Sequence, residues 1–144
     1  MGRAFPDRGK GFPHALGGLR DAVKGGIVAD SLPITSGADP VAIDPSVYKH
    51  LVTSGGTQGN EVVQVPSAAE VGQRVLIEFA VEGDASDVVR INDDGSSSIQ
   101  SQGAVGETPS AVTNIDLDTP GEFALLEYQG GDVWNLLYTS GAVS

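Results

Sequence analysis

GEFALLEYQGGDVWNLLYTSG (121–141) holds the only tryptophan of the chain, two of its three tyrosines and a Gly-Gly pair between two apolar runs. At a period of two, Ala124, Leu126 and Tyr128 share one side of the first run, and Phe123, Leu125 and Glu127 share the other. In the second run Trp134, Leu136 and Tyr138 alternate with Val133, Asn135 and Leu137. Such alternation marks a half-buried strand, because successive side chains of a strand point to opposite faces. Gln129-Gly130-Gly131-Asp132 supplies the turn, where glycine reaches positive φ at little cost. Rings at this spacing are more often core than ligand cage, so the segment is expected to be a hairpin that closes a β core.

The same period extends upstream. QRVLIEFAV (73–81) places Val75, Ile77, Phe79 and Val81 on an apolar face and Arg74, Leu76, Glu78 and Ala80 on the other. EVVQVP (61–66), DVVRIN (87–92) and AVTNIDLD (111–118) read as further strands, the last with Thr113, Ile115 and Leu117 on one side. Asp94-Gly95 within NDDGSSS is a hairpin signal, and YKHLVTS (48–54) reads better as a strand than as a capped turn of helix. Strand-like runs between turn signals, with no helical period after residue 60, predict an all-β domain: a compact antiparallel β-sandwich or a small, jelly-roll-like β-barrel.

Composition agrees. The chain has 144 residues with 40% apolar content, 20 glycines and 8 prolines, which suits one domain with many turns. It has no cysteine, which excludes disulfides, thiolate metal sites and cysteine catalysis. No run approaches the ~18 apolar residues of a membrane span. The first residues lack the continuous apolar core of a signal peptide, so export by that route is not expected.

Charge divides the chain. Residues 1–25 carry Arg3, Arg8, Lys10, Arg20 and Lys24 against Asp7 and Asp21, a net of +3. Residues 26–144 carry Lys49, Arg74 and Arg90 against seventeen carboxylates, a net of −14. A body this acidic repels phosphate backbones and anionic membranes, so neither nucleic acid nor membrane is an expected partner. Residues 1–45, broken by Pro6, Pro13, Pro33, Pro40 and Pro45, are expected to form an extended Pro/Gly-rich N-terminal arm, with one short helix at ALGGLRDAVK (15–24) and the β-rich domain spanning 46–144. Arg3, Phe5, Arg8, Phe12 and Arg20 interleave charge and rings in the arm, a pattern that fits an element docking on another protein at least as well as a nucleic-acid arm, the plain alternative being a disordered tail.

Catalytic signals are sparse. His14 and His50 lie in the arm and near its junction, and no strand-turn-helix elbow surrounds any serine. Asp93 with Asp94, and Asp116 with Asp118, lack the spacing of a calcium loop and suit solvated turns. SGGTQGN (54–60) has the glycines of a phosphate cradle but lacks the Lys-Ser/Thr ending and precedes a strand. No catalytic residue, cofactor or metal is therefore assigned.

Residues 53–141 also resemble a known group. TSGGTQGNEVVQVP, VGQRVLIEFAVEGDASDVVRIN and NIDLDTPGEFALLEYQGGDVWNLLYTSG, in this order, are similar to small β-rich virion structural proteins of tailed bacteriophages, most of all to capsid decoration (cement) proteins. The shared features are a Gly-Thr-rich lead-in, a short strand ending in proline, the VGQR opening and the closing hairpin. The resemblance implies a non-enzymatic protein on the virion surface, often a homotrimer, whose partner is the major capsid protein and which stabilises the head. It is also compatible with a head- or tail-fibre adhesin module that binds a host glycan or receptor through rings such as Trp134 and Tyr138.

Overall fold

A computed structural model describes residues 29–33, 40–55, 60–68, 70–102 and 105–144. Among the described residues twelve strands follow one another: β1 (Ala29–Pro33), β2 (Val41–Ala42), β3 (Lys49–Thr53), β4 (Asn60–Val65), β5 (Arg74–Val81), β6 (Val88–Asp93), β7 (Ser98–Ser101), β8 (Ser110–Val112), β9 (Ile115–Leu117), β10 (Phe123–Gly130), β11 (Val133–Thr139) and β12 (Ala142–Val143). No helix occurs among the described residues. The strands form two mixed sheets packed face to face, a β-sandwich without barrel closure. One sheet runs β1-β3-β5-β10-β11-β7-β8 and the other β12-β9-β6-β4-β2.

From β1 to β7 the chain alternates strictly between the two sheets, so odd strands build one layer and even strands the other. Where they are described, these connections are arches over the edge of the core rather than hairpins. Strands two apart in sequence become neighbours with the same direction, hence the parallel pairs β1–β3, β3–β5, β2–β4 and β4–β6. Antiparallel pairing appears in the second half, at β5–β10, β10–β11, β7–β8, β6–β9 and β9–β12. The all-β sandwich is as the alternation predicts, whereas the purely antiparallel arrangement is replaced by a mixed one. Side-chain alternation is the same in both pairings, which is why period alone does not separate them.

Asp94-Gly95 shows the difference locally. It joins β6 to β7, which lie in different sheets, so it is an arch and not the expected hairpin turn. Gly95 takes φ 84°, and the Asp94 carboxylate accepts from the N–H and hydroxyl of Ser96. The Gly130-Gly131 turn is the hairpin expected, with φ 88° and 59°, and Asp132 follows at 63°.

The core is continuous between the layers. Val75, Ile77 and Phe79 of β5 and Ala124, Leu126 and Tyr128 of β10 meet Val63 and Val65 of β4, Val89 and Ile91 of β6, and Ile115 and Leu117 of β9. Each such aliphatic or aromatic side chain contributes about 1.5–3 kcal/mol when fully buried. Most are β-branched, which suits the pleated surface. Two departures from alternation are β-bulges. Register slips between Val52 and Thr53, where Thr53 meets Val81 in place of Ala80, and Val81 is turned out to solvent. Register slips again where Leu125 meets Tyr138 but Leu126 meets Leu136. Leu137 is the extra residue there, and Tyr138 emerges on the outer face.

AVTNIDLD is not one strand. Val112 belongs to β8 in the larger sheet and Ile115 to β9 in the smaller one, so the chain changes layers at Thr113-Asn114 and Thr113 is exposed. The C-terminal Ser144 carbonyl accepts the N–H groups of both crossing residues.

Residues 29–33 and 40–45 lie within the span read as an arm. β1 pairs along its length with β3, β2 pairs with β4, and Ile43 is buried in the core. The helix expected at 15–24 lies outside the described residues.

Candidate interaction face

The arches at one end of the sandwich are joined by buried polar groups. Ser54, at the end of β3, donates its hydroxyl to Asp87 (2.6 Å) and accepts the N–H of Gly83 (2.7 Å). Asp87 also accepts the N–H of Asp84 (3.0 Å), and Glu61 accepts that of Gly55 (3.3 Å). Ser54, Glu61 and Asp87 are all buried. Gly83 is required by close approach, because a Cβ there would run into the carbonyl oxygens of Ser54 and Gly55. The cluster thus fastens the β5–β6 arch onto the β3–β4 arch. Buried carboxylates must be hydrogen-bonded to be tolerated, and these hold the fold's polar seam.

At the opposite end the closing hairpin is bound to the β4–β5 connection. The Trp134 Nε1–H donates to the Pro66 carbonyl (2.9 Å), and the ring lies 5.3 Å from that of Tyr128. The Ser67 hydroxyl bonds Asp132, whose own N–H donates to the Tyr128 phenol oxygen (3.1 Å). Trp134 is completely buried. It is therefore a core residue and unavailable to a glycan.

The histidine and carboxylate candidates have structural surroundings. His50 is buried, with Nε2–H donating to the Val47 carbonyl (2.9 Å). Asp93 and Asp94 accept backbone N–H groups of their own turn. Burial pushes the Asp94 carboxyl up, but the hydroxyl and N–H of Ser96 outweigh it and hold the carboxyl below the usual range. Asp116 is gripped by Arg90 through two bonds of 2.7 Å, and this contact raises the guanidinium further. Among the described residues no three His, Cys, Asp or Glu side chains converge as a metal set.

The outward face of the seven-stranded sheet is different. Register places Lys49, Leu76, Leu125 and Tyr138 in one row across β3, β5, β10 and β11. The next row is Leu51, Glu78 and Phe123. Tyr138 is 57% exposed and its ring lies 5.4 Å from that of Phe123, while Leu137 on the bulge is 38% exposed. Lys49 bridges to Glu78 (2.9 Å) and Arg74 to Glu127 (2.6 Å) on this same face. The Arg74 guanidinium holds the Glu127 carboxyl below its usual range. An apolar centre is thus framed by two internally neutral pairs, on a domain that is otherwise strongly acidic. Half-buried and exposed apolar side chains grouped on one sheet face in this way suit an interaction surface.

Arg3, Phe5, Arg8, Phe12 and Arg20, the residues expected to contact a partner, lie outside the described residues, as does His14. Of the alternative pair, the structure buries Trp134 and exposes Tyr138. Sequence reasoning missed Phe123 as Tyr138's neighbour, because only the bulge at Leu137 turns Tyr138 to Phe123's side. No family model and no curated protein matches the chain.

Proposed function

We propose that this chain is a non-enzymatic structural protein of a tailed-phage virion, binding the outer surface of the major capsid shell as a decoration or cement protein and stabilising the head. The observation that supports it most is the disposition of positive charge. Lys49, Arg74 and Arg90, the cations of residues 26–144, are each held by a neighbouring carboxylate. The larger store of positive charge for contact with the capsid is therefore Arg3, Arg8, Lys10, Arg20 and Lys24, interleaved with Phe5 and Phe12. An arm of this composition can span a subunit boundary, its rings filling pockets and its guanidinium groups meeting carboxylates. A sandwich fastened by polar seams at both ends suits a part that bears load. Several arms on one oligomer would add avidity.

The test is occupancy on purified heads. Deleting residues 1–25 is expected to abolish binding while leaving the sandwich folded, and unchanged occupancy would overturn the reading. The adhesin alternative keeps one favourable feature, the exposed Phe123–Tyr138 pair. Glycan-array binding abolished by Tyr138→Ala, with head binding absent, would favour it.

A further inference from the structure

The outward side chains of β5 read Arg74, Leu76, Glu78: a cation, an apolar residue and an anion at successive outward positions about 7 Å apart. This series is complementary to itself when reversed end for end. Beside Leu76 in register stands Leu125 of β10, and beside Leu125 stands Tyr138 of β11. A two-fold axis lying in the contact plane and running along the row Leu76–Leu125–Tyr138 sets each apolar residue against its own copy. The same rotation carries Arg74 of each copy over Glu78 of the other. Lys49, at the far end of the row, also lies on the axis, so it meets Lys49 of the second copy while each lysine stays paired with its own Glu78.

From this arrangement we infer that the outer face of the seven-stranded sheet is a self-association surface, occupied by the same face of a second copy across a two-fold axis. Charge selects the occupant. Residues 26–144 carry a net of −14, so two copies repel over most of their surfaces. On this face Lys49 and Arg74 balance Glu78 and Glu127, so the two faces approach without net repulsion: the Lys49–Lys49 meeting is offset by each lysine's own Glu78 and by Arg74–Glu78 contacts between copies. A basic partner would find no net negative charge to bind. The face spans roughly 25 by 25 Å from strand spacing and strand length, on the order of 600 Å². That is close to the roughly 800 Å² per partner of a standard interface, so the pair should form reversibly with concentration. Isologous contact of this kind is the commonest way for identical chains to associate. The pair is two-fold, in contrast to the three-fold assembly that the resemblance implies. It does not depend on the capsid reading, which is decided separately by head occupancy after deletion of residues 1–25.

Sedimentation velocity of the full chain over a concentration series tests it, with far-UV circular dichroism and a thermal melt confirming that each variant is folded. Wild type is expected to show a monomer–dimer equilibrium. Arg74→Glu sets anion against anion across the axis, and Glu78→Arg sets cation against cation. Each is expected to raise the dimer dissociation constant at least tenfold. In an equimolar mixture of the two variants, both acidic side chains of one copy face both basic side chains of the other, so dimer should return as a mixed pair. Leu125→Asp should abolish the dimer in a folded chain. A wild-type monomer at every concentration, a trimer, a dimer indifferent to these variants, or a mixture no stronger than either variant alone would each overturn the inference.

Discussion

Replacing Trp134 by Phe removes one hydrogen-bond donor and part of one ring from the largest fully buried side chain of the closing hairpin. The indole Nε1–H is the donor to the Pro66 carbonyl at 2.9 Å. Leaving that carbonyl dry and unpaired costs about 1–3 kcal/mol. The missing ring atoms cost about 1–2 kcal/mol more, as lost burial plus residual cavity. The sum is roughly 2–5 kcal/mol, a large share of the ~5–15 kcal/mol that holds a domain together. At about 4 °C per kcal/mol for a domain of this size, the midpoint of thermal unfolding should fall by roughly 8–20 °C. Urea unfolding followed by circular dichroism measures the change, with an unaltered m-value showing that the same surface unfolds. In wild type the single tryptophan serves as its own reporter: emission should be blue-shifted and resistant to acrylamide until unfolding. A Trp134→Phe variant within about 0.5 kcal/mol of wild type (roughly a factor of two in the folding constant), or freely quenched wild-type emission, would refute the placement of this ring.

Other consequences follow from the polar seam and from close backbone approach. Ser54→Ala strips Asp87 of a charge-assisted bond and orphans the Gly83 N–H, and should cost about 2–5 kcal/mol by urea unfolding. Gly83→Ala forces a Cβ into the Ser54 and Gly55 carbonyls, whereas Gly95→Ala meets open space and carries only the strain of φ 84°. The first should be much the more destabilising, since the second costs about 1–2 kcal/mol; equal costs would mean that the two arches do not touch. The carboxyls of Asp44, Asp94 and Glu127 are each held below their usual range by hydrogen bonds, from Ser46, Ser96 and Arg74 respectively. A depressed folded-state value adds stability above the unfolded value and loses it as pH falls through the folded one. Thermal midpoints should therefore decline on acidification through the carboxylate range, and Arg74→Gln should flatten the part of that decline due to Glu127.

Much of the closing hairpin was legible because its signals are local. Ala124, Leu126, Tyr128 and Trp134 face inward as their alternation requires, and the Gly-Gly turn sits where positive φ is needed. Tyr138 was misplaced because a bulge inserts one residue and reverses the parity of everything after it, and nothing in LLYT announces the bulge. Val81 left the apolar face for the same reason. The exposed Phe123–Tyr138 pair and the neutral frame of Lys49, Glu78, Arg74 and Glu127 were invisible as a site, since their members come from β3, β5, β10 and β11 and meet only through register.

By itself the sequence determined an all-β domain, the approximate positions of most of its strands, a mainly aliphatic core and the split between a basic N-terminal segment and an acidic remainder. These follow from side-chain period, turn chemistry and charge, which are properties of neighbouring residues. The tertiary structure alone decided that the first strands climb as parallel arches between two layers, that Asp94-Gly95 bends over the core rather than closing a hairpin, and that Ser54 and Asp87 meet in its interior. The physical reason is that a strand buries the same face whichever neighbour it pairs with. The choice among neighbours is made by distant contacts, such as Gly83 against Ser54 and Gly55 or Trp134 against Pro66, that no short window contains.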